Sequence, residues 1–284
     1  MTSRRALGIG VVLVVVAAVW LAERNMRRAE GASAEPDPVT ASAASASAPA
    51  GGTLRFFRNP APAKPFTVRT IDDREVSRDS FRGKVTIVNF WATWCPPCRA
   101  EIPDLIALQE KYRDQLQIIG ISEDEDGPAV VRKYAAEHRM NYPIAMTSPE
   151  LEKLFPGIAA LPTSFIIDRE GRLVQKHVGM LNPATTEQET RALAGLPVDA
   201  TIERVDQTQK LELGPNAQAL DIPGVDLSKL SAARRREALE RLNGQSCTCG
   251  CDLTIARCRV DDPTCGVSLP IARRIVDEVA AAGR

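Results

Sequence analysis

Apolar and polar residues follow a consistent order from Phe66 to about residue 195. Phe66 to Thr70 alternate, Asp72 and Asp73 mark a turn, and a short strand at Glu75 and Val76 completes a hairpin. Lys84 to Trp91 is an apolar run with β-branched Val85, Ile87 and Val88. It predicts a buried strand, because a run apolar on both faces needs cover on both. Ile102, Leu105, Ile106 and Leu108 recur at helical spacing, and Leu116 to Ser122 predicts a second buried strand. Pro128 to His138 reads as a helix opened by proline, and Tyr142 to Met146 as a strand. Thr163 to Asp168 and Arg172 to Val178 form a hairpin around Asp168-Arg169-Glu170-Gly171, with Thr186 to Ala194 a closing helix. Strands alternating with helices predict an α/β layout with a mixed central sheet flanked by helices.

Outside this region the pattern changes. Residues Asp199 to Gly224 show little periodicity and read, as 198–224, as a linker. Ser231 then caps a charged helical stretch through Leu242 that Gly244 stops, and Leu269 to Ala282 reads as a final amphipathic helix. Residues 225–284 therefore predict a small helical, Cys-rich helix-loop-helix module. Residues 29–62 are rich in Ala, Ser, Pro and Gly, bury too little to fold, and predict a disordered linker. Before them, Arg4 and Arg5 precede an uncharged apolar run from Leu7 to Ala22. As a helix it rises about 24 Å against a hydrocarbon core of ~30 Å. No small-x-small cleavage site follows convincingly, so residues 1–28 read as an uncleaved signal anchor. On that reading the chain is a single-pass protein of the bacterial inner membrane, with its main domain, 63–197, facing the periplasm. Arg24, Arg27 and Arg28 put as much positive charge after the run as before it, which leaves the positive-inside rule equivocal.

Charge narrows the partners. Thirty-six basic side chains balance 36 acidic ones, so no global field draws a polyanion, which argues against nucleic acid as the main partner. The candidate chemistry lies in the 7 cysteines. Cys95 and Cys98, with two residues between them, stand where a buried strand feeds a helix. Unpaired N–H groups and the positive end of the helix dipole stabilise a thiolate at Cys95 and lower its pKa below the free value of about 8.5. Pro96 and Pro97 fall in the first turn, where a missing N–H breaks no helical bond. Cys98, one turn in and less exposed, suits the resolving thiol that attacks a mixed disulfide from inside.

The stretch Asn89-Phe90-Trp91-Ala92-Thr93-Trp94-Cys95-Pro96-Pro97-Cys98-Arg99-Ala100-Glu101-Ile102-Pro103 closely resembles the membrane-anchored thioredoxin-like proteins of the TlpA/ResA group. Arg82-Gly83-Lys84, Leu161-Pro162-Thr163 and Asp168-Arg169-Glu170-Gly171 extend the resemblance over residues 65–195. It implies a thioredoxin fold, with Cys95 as nucleophile and Cys98 as resolving thiol. It also implies that Pro162 is a cis-proline, and that substrate docks against Trp94, Pro96, Pro97, Leu161 and Pro162. Thioredoxin carries a buried Asp where this chain has Asn89, which does not titrate. Glu101, three residues past Cys98 on the same helical face, is the acid the resemblance supplies for proton transfer.

Five further cysteines, Cys247, Cys249, Cys251, Cys258 and Cys265, form C-x-C-x-C followed by two wider gaps. Disulfides such as Cys247 to Cys265, a soft-metal site for Cu(I) or Zn(II), and a redox relay with Cys95/Cys98 all remain open, and no metal is assigned. The resemblance implies a thiol-disulfide oxidoreductase that reduces protein disulfides, in cytochrome c maturation or copper-site assembly. Electrons would come from a membrane thiol donor, and the only cofactor would be the redox-active Cys95–Cys98 disulfide. The competing expectation is a metal-binding or copper-delivery protein built on the C-terminal cysteines. A peroxidase on the same fold fits less well, because the pair has dithiol-exchange spacing.

Overall fold

The computed structural model describes residues 52–207, 213–214 and 216–282. Its centre is a five-stranded mixed sheet in the order β6-β5-β4-β8-β9. These strands are β4 (Val85–Trp91), β5 (Leu116–Ser122), β6 (Ile144–Met146), β8 (Thr163–Ile167) and β9 (Leu173–Val178). β4, β5 and β6 run parallel, and β8 is antiparallel to β4 and to β9. Every residue of β4 is buried, as the apolar run requires of a strand with a paired neighbour on each edge and cover on each face. Helix α1 (Pro96–Lys111) crosses from β4 to β5, and α2 (Pro128–Glu137) from β5 to β6. A one-turn helix, α3 (Pro149–Glu152), precedes β7 (Ala160–Leu161), and α4 (Pro183–Ala194) follows β9. Phe90, Phe155 and Phe165 pack edge-on or tilted at centroid separations of 5.1 to 5.8 Å and hold β4 to β8. The hairpin of β2 (Thr67–Arg69) and β3 (Glu75–Ser77) lies where alternation predicted it.

Both expected linkers contain strands, which corrects those readings. β1 (Thr53–Phe57) lies inside 29–62 and pairs in parallel with β10 (Thr201–Val205), inside 198–224. β1 buries Leu54, Phe56 and Phe57 directly behind a low-complexity stretch that hides its alternation. β10 is exposed along most of its length and its polar side chains give no burial pattern; Arg55 and Glu203 pair across the two strands at 3.1 Å. A two-residue strand, β11 (Gln218–Ala219), also lies in the second expected linker.

The C-terminal module holds three helices, not a helix-loop-helix: α5 (Ala232–Gly244), α6 (Ile255–Asp261) and α7 (Ser268–Ala281). α6 falls in the expected loop because fewer than two turns leave no readable apolar period. Thr254 caps it, its side chain accepting the Arg257 N–H at 3.1 Å. Leu239, Leu242, Ile255, Ala272, Ile275 and Val279 form a second core that takes in Ala160 of β7 and reaches Trp94, which also packs against the first.

The expected localisation also needs correction. Among the described residues no helix is long and apolar enough to cross a membrane. The run Leu7 to Ala22, on which the inner-membrane, periplasm-facing reading stood, lies outside the described residues.

Candidate active site

The sheet delivers β4 into the loop 92–94 and then into α1, and the two cysteines sit at that junction. Cys95 is the N-cap residue, in extended conformation, and its Sγ accepts the N–H of Cys98 at 3.3 Å. Pro96 and Pro97 occupy the first helical positions, Pro96 exposed and Pro97 buried. Cys95 and Cys98 form a disulfide with Cα atoms 5.3 Å apart. A sulfur that receives helix N-terminal N–H groups is stabilised as an anion once reduced.

Glu101 lies one turn beyond Cys98 and is 1 % exposed, so it is a buried carboxyl and not a solvated helix-face acid. Its Oε1 accepts from the Asn89 amide at 2.8 Å, and its Oε2 from the Leu181 N–H at 3.0 Å. Asn89 is itself held through Ser164 Oγ at 3.0 Å. Burial pushes the Glu101 carboxyl up to about 7, against the opposing pull of those two donors. Asn89, unable to titrate, thus orients the residue that does.

The site extends to acids that the sequence reading passed over. Asp124, just past β5, accepts the Thr93 N–H at 2.9 Å, the Thr93 hydroxyl, and the Ser122 hydroxyl at 2.8 Å. It therefore props the loop that presents Cys95. Burial pushes its neighbour Glu123 up to about 7 as well, and Glu123 Oε1 makes no hydrogen bond. The signal was present as the acidic run Glu123-Asp124-Glu125-Asp126 at the carboxyl end of a central parallel strand, where α/β folds place their sites. His177 has Nε2 3.0 Å from Glu189 Oε2.

The surroundings of the dithiol depart most from expectation. Cys95 was expected to be the more exposed sulfur, yet both cysteines are 0 % exposed. Trp94 is half-buried and packs against both cores. The Leu161–Pro162 peptide is cis, and both residues are buried. The backbone edge beside that proline, expected to dock substrate, is already filled. β11 pairs with β7 in antiparallel register, Gln218 opposite Leu161 and Ala219 opposite Ala160. The Leu220 N–H donates to Ala159 O at 2.8 Å, and the Gly214 N–H to Val178 O at 2.6 Å. On the far side of β11, Asn243 of α5 holds both backbone groups of Ala219 at 2.8 and 2.9 Å. Beside this contact, Pro96, Pro97 and Ala100 face Ala217, Leu253 and Arg257 across an open cleft of about 540 Å³.

The five C-terminal cysteines, for which disulfides, a soft-metal site and a redox relay were all left open, stand here as free thiols. The Sγ atoms of Cys247, Cys249, Cys258 and Cys265 all lie within 4.8 Å of one another. Cys251 stands beside Cys249, sulfur to sulfur 2.7 Å, outside that group of four.

Residues 59–176 match the AhpC/TSA family. The thioredoxin-like protein YneN of Bacillus subtilis is 30 % identical over 129 residues, covering 45 % of this chain and 75 % of YneN. The thiol-disulfide oxidoreductase ResA of Bacillus thuringiensis subsp. konkukian is 34 % identical over 119 residues, covering 41 % of this chain and 68 % of ResA. A solved thioredoxin-family thiol:disulfide interchange protein from Chlorobium tepidum TLS shares 36 % identity, covering 48 % of this chain and 98 % of its own, with a TM-score of 0.46. The match with ResA, together with a helix-capping Cys95–Cys98 pair on a thioredoxin-like α/β fold, leads to one conclusion: the chain belongs to the ResA/YneN family of thioredoxin-like thiol-disulfide oxidoreductases.

Proposed function

We propose that the chain works as a reductase of disulfides in protein substrates, of the kind needed for cytochrome c maturation or copper-site assembly. In the reduced enzyme the Cys95 thiolate attacks one sulfur of a substrate disulfide. That S–S bond breaks, one substrate thiolate leaves, and a Cys95–substrate mixed disulfide forms. Cys98 then gives its proton to the Glu101 carboxylate and attacks Cys95 Sγ, which frees the second substrate thiolate. Two electrons have passed to the substrate, and the enzyme is left with its Cys95–Cys98 disulfide. An upstream dithiol donor returns the electrons. The observation that carries this reading is the buried Glu101, one turn from Cys98 with its carboxyl at about 7, where it accepts and returns a proton near neutral pH.

Substrate takes the antiparallel place beside Leu161 that β11 fills, so exchange requires β11 to leave that edge. Metal delivery through the C-terminal cysteines is the less favoured reading, because the relatives matched over residues of the dithiol domain are named for exchange chemistry. The test is a redox titration of the Cys95–Cys98 couple, with insulin reduction and peroxide consumption measured in parallel. A potential near the thioredoxin value of about −270 mV, with insulin reduced and peroxide untouched, is expected. A value near −120 mV, that of a strong oxidant, overturns the reducing direction.

A further inference from the structure

The C-terminal cysteines lie outside the residues matched by the family, and the exchange mechanism does not use them. From their arrangement we propose that Cys247, Cys249, Cys258 and Cys265 form a tetrathiolate Zn(II) centre that holds the three-helix module together.

Geometry is the first support. A tetrahedral Zn(II) with Zn–S bonds of about 2.3 Å sets its sulfurs roughly 3.8 Å apart. Here four sulfurs lie mutually within 4.8 Å, and Cys249 and Cys258 are 3.9 Å apart. Each sulfur is brought in by a local device. The Cys247 N–H donates to Leu253 O at 2.8 Å, closing a tight turn in which Gly250 adopts φ +85° and Asp252 φ +55°. That turn folds Cys247 and Cys249 towards each other. Cys258 rises from the first turn of α6, behind the Thr254 cap. Cys265 follows a turn in which its N–H donates to Asp262 O at 3.1 Å, just before α7. Four sulfurs from three local structures converge on one point although none is bonded to another.

Charge is the second, independent support. Arg259, next to Cys258, is 2 % exposed. Its guanidinium donates to the carbonyls of Pro223 at 3.0 Å, Pro263 at 2.7 Å and Cys265 at 3.4 Å, and to Ser268 Oγ at 3.4 Å. All of these acceptors are neutral, and the exposed Asp262 acts on the guanidinium only through space. A buried cation without a bonded anion is costly. Four thiolates around Zn(II) carry a net charge of −2 and supply the missing counter-charge. Stability is the third support. A module of three short helices has a thin core, and modules of this size commonly depend on disulfides or a structural metal. This one has no disulfide.

Zinc fits better than copper, because Cu(I) favours fewer thiolates whereas Zn(II) favours four in a tetrahedron. Cys247 and Cys258 are buried, and all four ligand positions are filled by protein, so the site is closed and structural, without a position for cargo or substrate. Cys251 lies outside the group of four mutually close sulfurs and is left out of the ligand set.

The test uses the full chain with Cys95→Ser and Cys98→Ser, so that its outcome is independent of the exchange chemistry. Purified under reducing conditions without chelator, it should carry one zinc per chain by elemental analysis. Cys258→Ser in that background should lose the zinc, and Cys251→Ser should keep it. If Cys258→Ser fails to fold, Co(II) titration of the folded parent chain decides, with the visible d–d bands of a tetrahedral thiolate complex as the expected result. The proposal is overturned by a folded, fully reduced parent that binds neither metal, by preferential retention of Cu(I), or by loss of zinc in Cys251→Ser. Non-reduced peptides joining any two of the four sulfurs as a native disulfide overturn it equally.

Discussion

Removing the Asn243 amide should unlock the dithiol. Asn243 is buried, and its side chain accepts from the Ala219 N–H at 2.8 Å and donates to Ala219 O and Leu239 O, each at 2.9 Å. It is the clamp that presses β11 against β7 from the module side. Asn243→Ala deletes the partners of two backbone groups of β11. Each neutral hydrogen bond contributes about 0.5–1.5 kcal/mol net, and leaving its partner buried and unpaired costs more. In the open form those groups meet water, so the penalty falls on the closed form alone, at about 2–3 kcal/mol. With a tenfold change per 1.4 kcal/mol, the open population should rise about 30- to 140-fold. The assay is alkylation of the reduced chain with iodoacetamide, with Cys95 modification followed by peptide mass spectrometry and folding checked by circular dichroism. In the wild type, Cys95 is 0 % exposed and is modified only through opening, so its rate should rise with the open population. An unchanged Cys95 rate in a folded variant would refute the argument, as would a wild-type Cys95 that reacts at the full rate of an exposed thiolate.

Three further outcomes follow from the same geometry. Glu101→Gln should slow resolution of the mixed disulfide by about 10²-fold or more, and should abolish the wild-type rise in rate as the carboxyl ionises through about 7, measured by stopped-flow against pH. The same residue should make stability pH-dependent: its folded pKa is raised from 4.5 to about 7, so the proton favours the folded form, and the burial penalty is absent below 4.5 and grows as pH rises to 7. Urea titrations should therefore show Glu101→Gln gaining on the wild type by up to ~3 kcal/mol between those limits, at 1.36 kcal/mol per pKa unit, and a constant difference would contradict the assignment. Asp124→Ala should release the Thr93 loop, lowering stability by about 0.5–1.5 kcal/mol or more for each of the hydrogen bonds from Thr93 and Ser122 that it removes, and insulin reduction should fall with it.

The parts of the molecule that could be read from the chain are those whose signals are local. β4 is a largely apolar run, Cys95 caps the helix that follows, and Glu101, the acid that the resemblance implies, sits one turn past Cys98. What stayed hidden depends on distant partners or on very short elements. β10 is exposed along most of its length, so no burial pattern marks it, and it exists because β1, some 148 residues earlier, offers it an edge. β11 has two residues, too few for any period, and is defined by β7 on one side and Asn243 on the other. Cys95 is 0 % exposed and its neighbour Trp94 packs against a module that begins more than a hundred residues downstream, a contact that the motif itself does not announce. Asp124 reads as solvated because acids usually are; the fold buries it against the loop it supports.

The most direct test of the exchange mechanism is to trap its intermediate. In a Cys98→Ser chain, Cys95 attacks a disulfide and has no neighbour to release it, so a covalent Cys95–insulin adduct should accumulate, visible by non-reducing mass spectrometry and absent from Cys95→Ser. If Cys95→Ser instead reduces insulin as well as the wild type, with adducts on the C-terminal cysteines, the nucleophile lies elsewhere and the account fails.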